Sequence, residues 1–464
     1  VNVKDIVVTI GKTLKLENVS LLSEGQIDLF GDTQWINSTI YHSQSTSGDN
    51  VSIQSELTII NSEFILRTIQ DNEKETSNSV YLSPGASLVI RDYDLDSSTL
   101  DDQSKIRSDV TGKGNYTEKF NYTVNIGGEK NAKVTIINSQ VEYINSLLIT
   151  GEGSYLKNSS FKFFGNVESG IDDFIFENNT MLNSYKWWDL SINGNNSFIF
   201  NNTLRNGSGG IAIHGSNSHI VSNNFLDFQF NLAYPNSYSK RGEGLITLTN
   251  LSSNNTITNN LFKNLEDIHA INIFSSDDNL ISYNNFTDSG QGWHTIRDRS
   301  GYRNNYNNNT FDRCSGDDYM TVPWYQSCMI FYFWSYPDDY RGGEHVVENN
   351  TFNSYNSGVR FLSYQDNSTI QNNNFDNGHH AIGLWNWPDG GNVAPSGIII
   401  FNNSINDTNY PIALDFHYAG YPGIDNSVIS NKITNTGHRA IVVWSTYKNF
   451  TIKDNYIDNS TEGI

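Results

Sequence analysis

Within "GQGWHTIRDRSGY", residues 290–302, stand Trp293, His294, Arg297, Asp298, Arg299 and Tyr302. A guanidinium forks onto a carboxylate or sulfate. An imidazole moves protons near neutral pH, and an indole stacks on the apolar face of a sugar ring. On a uronic acid this set suits a lyase. Arginine would neutralise the carboxylate, His or Tyr would remove the ring proton, and a second group would protonate the leaving oxygen.

The same residue types recur. The turns "LEDIHA", "GQGWHT", "DNGHHA" and "NTGHRA" place His269, His294, His379, His380, His438 and Arg439 just before a short apolar strand. With His214 and His417, seven of the ten histidines border that strand. Candidate catalytic residues are His294, His380 and Tyr364 for proton transfer and Arg297 and Arg360 for the carboxylate, with Asp298 and Asp415 as carboxylates. A hydrolase needs two carboxylates across the bond, and Asp338 and Asp389 are further members for such a pair. Candidate substrate contacts are Trp293, Arg299, Tyr332, His379, Trp385, Trp387, His417, Tyr418, His438, Arg439 and Trp444, with Tyr421 nearby. Each has a structural alternative: the arginines could pair with Asp298 or Asp415, and the aromatics could staple neighbouring coils.

The elements that position these residues follow from a repeat. "FENNTM", "IVSNNFL", "TITNNLF", "ISYNNFT", "NYNNNTF", "VVENNTF", "TIQNNNF" and "IIFNNSI" recur about every 22 to 25 residues. Each opens on a β-branched or aromatic run, turns at Asn and resumes with apolar residues; helical periodicity is absent. Asn tolerates left-handed backbone geometry, and stacking at roughly 4.8 Å would make an amide ladder. The expected fold is all-β, a coil of short parallel strands with long loops on one side.

Side chains alternate along the second strand of each coil. Setting Ile211, Ile271, Val359, Ile382, Ile412 and Ile441 inward leaves Ala212, Asn272, Arg360, Gly383, Ala413 and Val442 outward. The next outward column holds His214, Phe274, Leu362, Trp385, Asp415 and Trp444. Thr295 and Arg297 are expected in these two columns. Small residues would floor a groove, Trp385 and Trp444 would edge it, and Arg297 and Arg360 would lie roughly 10 Å apart.

The Asn-turn pattern, over about residues 140 to 464, resembles the right-handed parallel β-helix repeat proteins. That group holds pectate lyases, mannuronan epimerases, NosD-like periplasmic proteins and archaeal surface proteins of the disaggregatase type. The epimerase Asp-Pro-His-Glu motif is absent, so no catalytic residue carries over. Residues 1–140 read as less regular coils and 141–464 as regular ones carrying the groove, in one continuous solenoid cut from a longer protein. "LDDQSKIRSDVTGKGNYTEKF" reads as an excursion, as do segments near 228–244, 312–344, 386–396 and 415–425. Loops on a rigid scaffold carry function.

Of 464 residues 17% are charged, and the net charge is −21. That excludes nucleic acid as a natural partner, and no apolar run is long enough to span a membrane. Cys314 and Cys328 could be free or bonded, with an exported context favouring the bond. Sequons at Asn18, Asn115, Asn250, Asn285, Asn367 and Asn449, among others, support an exported glycoprotein. No catalytic metal is expected, since adjacent His379 and His380 diverge; calcium is an option at "SSDDN" (275–279) and "PDDY" (337–340).

Two functions follow. One is an extracellular enzyme domain cleaving an acidic polysaccharide, lyase ahead of hydrolase. The other is a structural or adhesive cell-surface rod whose aromatic loops bind glycans, neighbouring domains or subunits.

Overall fold

A computed structural model describes residues 1–43, 51–67, 79–94, 103–109, 124–128, 130–184, 188–207, 209–229, 244–249, 251–266, 268–290, 294–314, 327–332, 342–362, 365–385, 394–415, 423–443 and 448–464. The chain is an all-β, right-handed parallel β-helix, with no helix among these residues. It forms two compact units, Val1–Ile211 and Ala212–Ile464.

Each strand pairs in parallel with its counterpart one coil away, as Leu280–Ser282 does with Asn305–Asn307. Left-handed corners recur in every coil. Tyr283, Asp288, Arg303 and Asn308 have φ of 55°, 49°, 52° and 55°, so the chain reverses direction without a long loop. Asn and Asp fill most corners because they tolerate this geometry best among residues with a side chain.

The Asn pair divides two tasks. Asn308 turns the corner, while Asn309 is buried. Asn309 Nδ2 donates to Ile281 O (2.9 Å) and to Asn350 Oδ1 (3.0 Å). Its Oδ1 accepts from the backbone N and the Nδ2 of Asn284, both at 3.0 Å. The ladder runs on through Asn373, Asn403 and Asn431 to Asn455. In the first unit serine often takes the ladder position: Ser38 N donates to Ser62 Oγ and Ser139 N to Ser159 Oγ. The early coils are therefore the same device with a shorter side chain.

Beside the ladder, the residue two positions after each rung stacks its ring through the interior. Phe262, Phe286, Phe311, Phe352 and Phe375 follow one another at 4.9, 4.7, 4.7 and 4.5 Å, each pair contributing about 0.5–1.5 kcal/mol beyond burial.

Two expectations are corrected. Lys105–Asp109, read as part of an excursion, is a strand paired with Glu63–Arg67 and with Gln140–Glu142. Likewise Ser327–Tyr332 inside the 312–344 segment is a coil strand; the bond that the exported context favoured between Cys314 and Cys328 is present. At Lys105–Asp109 strand pairing with two neighbouring coils outweighs a polar context, whereas Ser327–Tyr332 is itself an apolar run that pairs on both sides.

Asn309→Ala would strand the buried Ile281 carbonyl and Asn284 amide, at a cost on the order of 2–4 kcal/mol. The urea midpoint of the second unit should drop accordingly. Asn308→Gly, at a φ glycine adopts freely, should shift it by less than about 1 kcal/mol.

Candidate functional site

The second unit aligns eight strands along one face: β1 His269–Phe274, β2 His294–Arg299, β3 Ser327–Tyr332, β4 Thr351–Phe361, β5 Asn374–Trp385, β6 Ser404–Asp415, β7 Lys432–Arg439 and β8 Ile441–Val443. Ile271, Ile296, Met329, Val359, Ile382, Ile412 and Ile441 are in register and fully buried, as the alternation requires. The neighbouring column is Asn272, Arg297, Ile330, Arg360 and Gly383. Phe274, Arg299 and Tyr332 share the next one, which continues with Leu362 and Trp385. Arg297 and Arg299 therefore fill the two columns, in place of Thr295 and Arg297. Thr295 instead donates to Ser289 O.

Asp298 does not face the arginines. Strand alternation sends it inside, where it accepts from Gly301 N (2.9 Å), Asn304 Nδ2 (2.9 Å) and Tyr306 OH (2.6 Å). His345 Nε2 stands 3.7 Å away. A Cβ on Gly301 would come within 2.4 Å of the carboxylate, so glycine is needed there. Burial and Asp298 together push the Tyr306 phenol well up, and burial pushes His345 down.

The outward face is closed rather than an open floor. Arg360 is 1% exposed, and His294, Arg297, His380 and Trp385 are all buried. Arg360 Nε donates to Ser357 Oγ (2.9 Å), and its guanidinium lies 4.3 Å from the Trp385 ring. That ring folds over Gly383 and packs with Ile330, Leu362 and Tyr332. Trp385 thus offers one face to an arginine rather than to solvent, as cation–π geometry favours. Arg297 Nε donates to Asn272 Oδ1 (2.8 Å).

A second column runs beside the arginines. His294 and Ser327, Ser357 and His380, and His380 and Tyr410 are register partners. His269 stacks on His294 and donates from Nδ1 to its carbonyl (2.7 Å). His294 Nδ1 bonds Ser327 Oγ (2.8 Å). Tyr410 is sandwiched between His380 and His438, 5.0 Å from each. Burial lowers the pKa of His294 and His380 far below the usual imidazole range. His269, Arg360 and Arg297 add to this for His294, and His379 and Arg360 for His380. His379 is lowered by burial, His438 and Arg360. Burial takes Arg360 down to about 9.

Other candidates are placed apart. Arg439 is exposed and donates to Glu462 Oε2 (2.5 Å), and Arg299 lies over the Phe274 ring at 4.8 Å. Trp293, Tyr364, Trp387, His417, Tyr418 and Trp444, the Asp415 side chain, and Asp338, Asp389 and Tyr421 lie outside the described residues. Tyr410, Ser327 and Ser357 were not singled out in the sequence. The signal was present, because each stands two positions before the inward Met329, Val359 or Ile412, as His294 and His380 stand before Ile296 and Ile382. Of the acidic turns, Asp278 takes a bidentate bond from Arg303 (2.6 and 2.7 Å), and "PDDY" lies outside the described residues. Among the described residues no three His, Cys, Asp or Glu side chains converge as metal ligands would.

Residues 339–464 match the family described as right handed beta helix region, in keeping with the Asn-turn resemblance. Solved structures of similar fold include a PL6 family polysaccharide lyase from Pseudopedobacter saltans, at 12% identity, over 88% of this chain and 89% of that one, with a TM-score of 0.39. The periplasmic alginate epimerase AlgG, as a double mutant, gives 10% identity, 87% and 78% coverage and a TM-score of 0.38. PfbA, a surface adhesin of Streptococcus pneumoniae, gives 12% identity, 88% and 85% coverage and a TM-score of 0.33. No curated protein sequence matches the chain.

An imidazole whose pKa in the fold lies below its unfolded value of 6.5 binds fewer protons folded than unfolded at acid pH. Stability of the second unit should therefore fall as pH drops from about 7.5 to about 5. His294→Gln should flatten this dependence of the unfolding midpoint, and a midpoint that instead rises on acidification contradicts the assignment.

Proposed function

We propose that the second unit is an extracellular polysaccharide-acting domain that cleaves a uronic-acid-containing glycan by β-elimination. The observation that carries the reading is geometric: Arg297, Arg360, His294 and His380 are gathered and buried on neighbouring strands of one face, where burial and Arg360 hold the imidazoles toward their neutral forms. A neutral imidazole beside a fixed positive charge is the pairing that elimination requires. The arginine neutralises the sugar carboxylate and so acidifies the adjacent C–H, and the imidazole takes the proton.

In this reading Arg297 and Arg360 hold the carboxylate, His380 is the proton-transfer residue, and His294, bonded to Ser327, borders the same buried face. Tyr332 and the partly or fully exposed Arg299, His379 and His438 contact flanking sugars. Because Arg360 is buried, binding has to open this face, and the charge then acts in a water-poor setting where it is stronger. The local arginines also answer the net charge of −21, which alone would repel a polyanion. Elimination is preferred to hydrolysis because Asp298, one of the candidate carboxylates, faces the interior. The Cys314–Cys328 disulfide and the sequons support an oxidising, exported setting.

One observation favours a second reading, a structural or adhesive surface rod. Rings on this face stack from coil to coil, as His380, Tyr410 and His438 do, and such stacks can serve rigidity alone.

The test is to incubate the protein with a panel of acidic and neutral polysaccharides. Ultraviolet absorbance of unsaturated uronate ends is followed alongside reducing ends. Absorbance should appear with an acidic glycan and fall about 100-fold or more in His380→Gln, the usual scale of a lost proton-transfer group. Reducing ends without absorbance would indicate hydrolysis. Silence across the panel from folded protein would leave the rod.

A further inference from the structure

This inference rests on the elimination reading, in which one proton must leave the sugar and another reach the departing oxygen. His379 and His380 are neighbours in β5, and their Nδ1 atoms stand 2.7 Å apart. Two neutral imidazoles in this contact hold one proton between them, because one Nδ1 must donate and the other accept. The contact fixes complementary tautomers. The ring that donates has a bare Nε2, and the ring that accepts carries its proton on Nε2.

The two rings differ in access. His380 is buried, whereas His379 is partly exposed. Tyr410 lies against both, at 5.5 Å from His379 and 5.0 Å from His380. The Trp385 ring meets His380 at 5.6 Å. The charged or titratable groups acting on the pair are Arg360 on both rings and His438 on His379. A guanidinium beside the pair disfavours any extra proton on it, so an arriving proton drives another out.

We propose that His379 and His380 form a two-imidazole proton relay, His380 exchanging protons with the sugar and His379 with solvent. At the start His380 Nδ1–H donates to His379 Nδ1, His380 Nε2 is bare, and His379 Nε2 carries a proton. The C–H bond beside the sugar carboxylate breaks and its proton goes to His380 Nε2. The electron pair left on carbon forms the new C=C bond as the C–O bond to the leaving sugar breaks. The Nδ1 proton crosses to His379, which releases its Nε2 proton to water. His380 now carries a proton on Nε2 and gives it to the leaving oxygen. The Nδ1 proton then returns to His380, and His379 Nε2 recovers one from water. His379, a substrate contact by sequence, becomes a catalytic group.

The test begins without substrate. Nitrogen-15 histidine NMR of the whole chain should show one ring protonated at Nδ1 and its neighbour at Nε2, with linked titrations. His379→Asn, whose amide can occupy the Nδ1 position but relays no proton, should alter the His380 signals. Two rings in the same tautomer that titrate independently overturn the relay. In the elimination assay His379→Asn should lower kcat about 100-fold at nearly constant KM, with partial rescue by added imidazole; an unchanged kcat overturns it. Paired tautomers in a protein that cleaves no glycan would sink the lyase reading and not the pairing.

Discussion

The buried amide ladder is the constraint on which the rest of the structure depends. A parallel coil must turn repeatedly, and each turn leaves backbone N–H and C=O groups pointing where no strand can meet them. Asn309 answers two such groups and hands its remaining amide valences to Asn284 and Asn350. Each rung is aligned by its neighbours, so a one-residue slip would break several at once. The ladder thus fixes register, and register decides which side chains share a column on the outer face.

Fixed register also separates two polar systems by one strand thickness. Arg297 and Asp298 are adjacent in sequence yet belong to different environments. The arginine is bonded to Asn272 on the outer side, and the carboxylate to Tyr306, Asn304 and Gly301 on the inner side. A carboxylate inside an apolar lumen is costly unless donors surround it. Here three neutral donors do so, with His345 close by. This interior network braces β2 from behind, and the outer face gains a rigid wall without losing its arginine to a local ion pair with Asp298.

On the outer face, burial does the electrostatic work. Desolvation lowers the imidazoles, and Arg360 lowers His294, His379 and His380 further. Coil-to-coil stacking then holds the rings in place, so the same contacts that would stiffen a rod also pre-organise a proton-transfer surface. The lyase and rod readings share their geometry and differ in whether the face opens to a polymer.

The fold was legible because it is local and periodic. The Asn pair, the apolar run behind it and the spacing between copies each state one rung, one strand and one coil, and the alternation rule correctly set Ile271, Val359 and Ile382 inside. Part of the candidate site's placement was legible for the same reason: Arg297, Arg360, His294 and His380 lie on one face. Where the sequence misled, the cause was tertiary. Asp298 looked like a partner for arginine because sequence shows adjacency, whereas the pleat assigns neighbours to opposite faces. Trp385 looked like an open platform, but Gly383 lets its ring fold back under Arg360. Tyr410 was passed over because its column partners lie a whole coil away in the chain. Sequence by itself determined the repeat, since each rung is written within a few residues. Only the stacked coils decided which groups meet, because those contacts join residues more than twenty positions apart, and their burial and pKa follow from that stacking.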